Sequence, residues 1–202
     1  MYVIIDWHVL NYNPNGDAAQ AESFFKSYAA KYKSYGNVIF EVCNEPTGTP
    51  WYDGSGNDIY SYCTRMAKAI RDAGSDAIIL CGTNTWSQDI DAVAGKPLSA
   101  DGFDNIMYVL HFYAATHKDD LRAKLQTALN AGTPVFVSEF GLCDASGNGG
   151  IDQDSANAWM TLLAHNNISY AAWALSNKAG TAAFFKPSVT ATSKWTGDDL
   201  TP

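Results

Sequence analysis

Basic residues are scarce in this 202-residue chain: 13 Lys and Arg stand against 21 Asp and Glu, for a net charge of −8 at pH 7. That balance removes the electrostatic footprint of a protein that binds nucleic acid or an anionic membrane. It fits a neutral or cationic ligand without selecting one, and it serves plain solubility equally well. No apolar stretch approaches membrane-spanning length, and the opening Met1–Asp6 segment has neither a basic n-region nor a small-residue cleavage site. Cysteine is limited to Cys43, Cys63, Cys81 and Cys143. None of them has C-x-x-C or other metal spacing, so four unpaired thiols are expected and the redox compartment stays open. No G-x-G-x-x-G or Walker-type loop follows any apolar run, so a nucleotide-binding sheet would lack its phosphate cradle. Repeats and low-complexity segments are absent too.

What is present is a globular composition, 47% hydrophobic and 17% charged. It suits one buried core and leaves little room beyond a single domain over residues 1–202. Near-continuous apolar runs predict strands over Tyr2–His8, Asn37–Glu45, Ala77–Gly82, Ile106–Tyr113, Pro134–Phe140 and Ser169–Leu175. Such runs are typical of parallel strands buried on both faces. Between them lie helix-period segments, among them Phe24, Phe25, Tyr28, Tyr32 and Cys63, Met66, Ile70. Strict alternation of this kind implies right-handed βαβ units. Without a phosphate loop, a barrel is favoured over a doubly wound sheet. The fold class expected is therefore α/β, an incomplete (β/α)8 TIM barrel with about six strands. The chain starts inside a strand and ends on a helix-start signal, Asp198-Asp199-Leu200-Thr201-Pro202, so both ends read as cut.

The chemistry sits at strand ends. Glu45 closes the run that begins at Val38, and Glu139 closes the run that begins at Pro134. A parallel barrel carries its catalytic groups at the C-terminal ends of its strands, and two facing carboxyl groups are the minimal apparatus for cutting a glycosidic bond. Alone, either carboxylate is as well explained by solvation or a structural ion pair. His8 and His111 also end strands, where an imidazole orients a carboxylate, binds a hydroxyl or simply satisfies the core. Two His and two Glu are also the makings of a zinc site, but no H-E-x-x-H helix is present and neither metal nor cofactor is expected.

Five landmarks follow in one order: Asp6-Trp7-His8, Asn44-Glu45-Pro46, His111-Phe112-Tyr113, Ser138-Glu139-Phe140-Gly141 and Trp173. Together with Gly82-Thr83-Asn84-Thr85-Trp86-Ser87-Gln88-Asp89 and the loop Asp144–Gly150, this order resembles glycoside hydrolase family 5, most closely its bacterial endo-β-1,4-glucanase branch. The resemblance covers essentially the whole chain and implies family strands three to eight. It also implies a retaining double displacement on cellulose-like glucans, with Glu45 as acid/base and Glu139 as nucleophile. By the same likeness, Tyr113 bonds the nucleophile, Asn44 contacts a sugar hydroxyl, and His8 and His111 support the site. Trp173 is then a sugar platform, with Trp86 and Lys178 as outer contacts. The family arginine that pairs with the nucleophile has no counterpart here, so weak activity is expected. Related possibilities are a mannanase, a xylanase or a glucan-binding fragment without catalysis. The resemblance further implies a secreted protein that acts on β-1,4-glucan and needs neither nucleic acid nor membrane. Open barrel edges suggest a homo-oligomer.

Overall fold

A computed structural model describes residues 1–201. Six parallel strands form one sheet in sequence order: β1 (Val3–Asp6), β2 (Val38–Cys43), β3 (Ile78–Cys81), β4 (Ile106–Tyr113), β5 (Val135–Gly141) and β6 (Tyr170–Ala172). The connections hold α1 (Ala18–Tyr32), α2 (Ile59–Asp72), the single turn α3 (Asn84–Ser87), α4 (Asp119–Asn130) and α5 (Gln153–His165). Neighbouring strands joined by crossovers in strict order make an incomplete (β/α)8 barrel, as the alternation predicts.

Two features differ from the sequence expectation. The strands are shorter than the apolar runs, because the ladder from β2 ends at Cys43 and that from β5 to β6 ends at Ala172. Residues past those points, including Asn44, Glu45 and Trp173, have left the strands. Burial on both faces holds for β2, whose six residues are all buried. It fails for β1 and β6, where Val3 and Tyr170 are 45% and 50% exposed. Among the described residues, each of these strands has a neighbour on one side only.

The chain divides into two compact units, Met1–Leu110 with Lys124–Phe136, and His111–Ala123 with the chain from Val137 onward. In the first, Ile39, Leu80 and Val109 form a buried layer with Ile4, Met107 and Phe136 packed against it. Side chains from successive strands thus stack as they do in a barrel interior. Outside the sheet, α1 packs on α2, and Phe25 meets Phe40 edge-on with ring centroids 6.0 Å apart. The second unit is built on Phe112, which stacks on Trp159 at 4.1 Å and on Phe140 at 5.3 Å. Trp159 is further fixed by its Nε1–H, which donates to the His117 carbonyl at 2.8 Å. After β6 the chain has little regular structure but folds back on itself: Ala174 N–H donates to Ala182 O, and Phe184 N–H to Ala174 O. The helix-start signal near the end becomes a single 3-10 turn, Gly197–Asp199, with a Thr196/Asp199 capping box. All four cysteines are free and buried, as expected.

Candidate active site

In the first unit, Asn44 and Glu45 leave β2 into a backbone clamp. Glu45 N–H donates to Val9 O at 3.0 Å, and its own carbonyl accepts from Asn11 N–H at 3.4 Å. Asn44 is buried, its Nδ2 donates to Val9 O at 3.2 Å, and its carbonyl accepts from Ser87 Oγ at 2.6 Å. Segments after β1 and β3 therefore hold the β2 end from both sides. Gly82 permits this, because a Cβ there would lie 1.9 Å from the Cys43 carbonyl oxygen. Glu45 itself is half-buried, accessible yet held. His8 lies after β1, exposed, with Nδ1 donating to Asp6 Oδ2 at 2.7 Å. Trp86, 43% exposed, shares the wall of a groove of about 470 Å³ with Thr47, Gly48, Thr49, Pro50, Asn84 and Thr85.

The second unit carries the other carboxylate. Glu139 is buried within β5, and Tyr113, at the end of β4, donates its hydroxyl to Glu139 Oε1 at 2.7 Å. That contact depends on Gly141, whose missing Cβ would stand 2.5 Å from the Tyr113 ring. His111 is buried one pleat below Tyr113, its Nε2 hydrogen-bonded to Ser138 Oγ at 2.9 Å. The Tyr113 backbone is pinned in turn, its N–H donating to His117 Nδ1 at 2.8 Å. A buried phenol hydrogen bond of this kind favours and orients a carboxylate anion. Trp173, 44% exposed, leaves β6 and lines a groove of about 620 Å³ that also holds Lys178, Leu175 and Ser146.

The structure thus places Glu45, Asn44, His8 and Trp86 in one unit, and Glu139, Tyr113, His111, Trp173 and Lys178 in the other. It brings Trp173 and Lys178 to one groove, and Tyr113 to Glu139. Sequence reading assigned no role to Asp6, Ser87, Asp89, His117 or Ser138, which anchor the others. Glycine at the end of an apolar run was the available signal for the close approaches at Gly82 and Gly141.

The family model for cellulase (glycosyl hydrolase family 5) matches residues 1–179. An endoglucanase of Clostridium saccharobutylicum is 47% identical over 203 residues, which is 100% of this chain and 44% of that protein. Endoglucanase A of Butyrivibrio fibrisolvens is 44% identical, covering 99% of this chain and 45% of its own length. The chain thus spans less than half the length of these curated relatives. Among solved structures, the catalytic domain of Thermobifida fusca endoglucanase Cel5A superposes with a TM-score of 0.89 at 33% identity, over 99% of this chain and 66% of that one. The same enzyme is also known in complex with cellotetraose.

Proposed function

The chain belongs to glycosyl hydrolase family 5, the cellulase family, and on that premise we propose that it serves a retaining endo-β-1,4-glucanase. The observation that carries the reading is the buried Tyr113–Glu139 hydrogen bond at 2.7 Å, a carboxylate ordered for attack. In the first step a Glu139 oxygen bonds to the anomeric carbon while the C–O bond to the leaving sugar breaks. Glu45 gives its proton to the departing oxygen. In the second step water attacks the same carbon, Glu45 takes its proton, and the bond to Glu139 breaks. Two inversions leave the β configuration. Asn44 contacts the sugar beside the cleaved bond, with His8 and His111 supporting. Trp173 and Lys178 line the groove for one part of the glucan, and Trp86 lines the groove beside the acid, on the leaving-group side. Endoglucanase relatives and the cellotetraose complex of one neighbour support β-glucan as the substrate. A polymer of this kind does not cross membranes, so the same reading puts the protein outside the cell.

Reducing-end release from carboxymethylcellulose tests this directly. Glu45→Gln and Glu139→Gln should each abolish most of it, and an activated glycosyl fluoride should partly rescue the Glu45 variant because its leaving group needs little protonation. Near-wild-type rates in either variant would remove that residue from its role.

A further inference from the structure

Residues Thr85, Trp86 and Ser87 hold left-handed backbone, with φ of 55°, 55° and 57°. L-residues disfavour this region, and three in a row without glycine are uncommon. Such strain persists only where the surroundings over-determine it. Here the restraints are visible. Asp89 Oδ2 accepts from Asn84 Nδ2 at 2.5 Å and from Thr85 Oγ1 at 2.6 Å, while Lys124 closes on Oδ1. The Trp86 indole Nε1–H donates to Asn11 Oδ1 at 2.6 Å. Its backbone N–H donates to Pro46 O at 3.2 Å, and Ser87 Oγ to Asn44 O at 2.6 Å. Asn44 and Pro46 flank Glu45 in the chain, so the turn and the acid segment are one hydrogen-bonded block.

We infer that Asp89 is a positioning residue: it locks the left-handed turn so that Trp86 stands as a fixed wall beside Glu45 for the sugar on the leaving-group side. The inference rests on the reading of Glu45 as the acid. Asp89 touches no sugar in this scheme and acts through Trp86. A mobile indole would still offer a binding surface. A fixed one aligns the leaving oxygen with its proton donor, so its loss shows in kcat more than in KM.

The test compares cellotetraose, which carries sugars on both sides of the cleaved bond, with β-cellobiosyl fluoride, whose leaving group carries none. Asp89→Ala should lower kcat/KM for cellotetraose about tenfold, mostly in kcat, and leave the fluoride within about twofold. Asp89→Asn keeps a carbonyl acceptor for Asn84 and Thr85 and should recover most of the loss. A second readout is the Trp86 indole N–H signal in a nitrogen-15 NMR spectrum, identified by its absence in Trp86→Phe. In Asp89→Ala it should move or broaden and lose its response to cellotetraose. Equal losses on both substrates, no loss on either, or an unchanged indole signal would overturn the inference. Wild-type protein inactive on both substrates would count against the hydrolase reading instead, and the indole signal in Asp89→Ala would then decide the role of the turn by itself.

Discussion

At the scale of single residues, the buried Glu139 carboxylate accepts from the Tyr113 phenol, and that makes Tyr113 a sharp test. A hydrogen bond to a charged group contributes about 1.5–3 kcal/mol, so Tyr113→Phe should cost about 10- to 100-fold in kcat. The ring stays in place against Gly141, and the circular dichroism spectrum should be unchanged. A rate within twofold of wild type on an aryl cellobioside would show that the phenol does no more than fill space. The residues proposed to do chemistry were legible because strand ends announce them: an acid at the end of an apolar run needs no tertiary knowledge to be noticed. Their anchors were not legible. Ser138 reaches His111 from the neighbouring strand, and Ser87 reaches Asn44 from 43 positions away. Nothing in the local pattern of Ser or Asp separates such a partner from a solvated loop residue.

Elements show the same division. All six strands and the four long helices follow from apolar periodicity, because burial on a sheet or against a helix face imposes the period itself. The turn at 84–87 and the 3-10 segments Ile90–Gly95 and Leu98–Asp101 have no such period and were not anticipated. Capping chemistry decides where the helices start, and Asp58 is the clearest case. Its buried carboxylate accepts from Ser61 N–H at 2.8 Å, and from Asp53 and Gly54 N–H at 3.1 Å each. Burial alone would raise its pKa, but the Ser61, Asp53 and Gly54 donors outweigh it and hold the carboxyl below its ordinary value. The folded state therefore binds fewer protons than the unfolded chain. The stabilisation is present in full above the unfolded value of about 3.9 and is lost as pH falls through the lower folded value. Asp58→Ala should cost about 0.5–2 kcal/mol at pH 7. Urea melts should show the gap between variant and wild type narrowing below about pH 4. An equal gap at pH 7 and pH 3 would mean that the carboxylate charge plays no part in the cap.

For the molecule as a whole, the question is what happens at the two strands that have one neighbour each. Past β6 the polypeptide folds back on itself through the Ala174–Ala182 and Phe184–Ala174 hydrogen bonds and the Phe185–Leu200 bridge, while Tyr170 and Ala172 of β6 stay exposed. Among the described residues, no strand pairs with the outer edge of β1. Tyr2 and Val3 are exposed there, and α1 with the turn after it carries an aromatic ridge in which the ring centroids of Phe24, Tyr28, Tyr32 and Tyr35 follow one another at 4.5, 6.1 and 5.8 Å. Unpaired strand edges beside exposed aromatic surface are association sites or aggregation hazards. We expect this 202-residue polypeptide to self-associate through β1 and α1, a second copy covering the apolar surface. A lysine on the edge and an acid on the ridge, Val3→Lys with Tyr28→Glu, should then weaken the assembly without touching any residue of the proposed site. Light scattering across a dilution series checks both statements. A monodisperse 21.9 kDa monomer for the unsubstituted chain at every concentration would show that the exposed edge is tolerated as it stands.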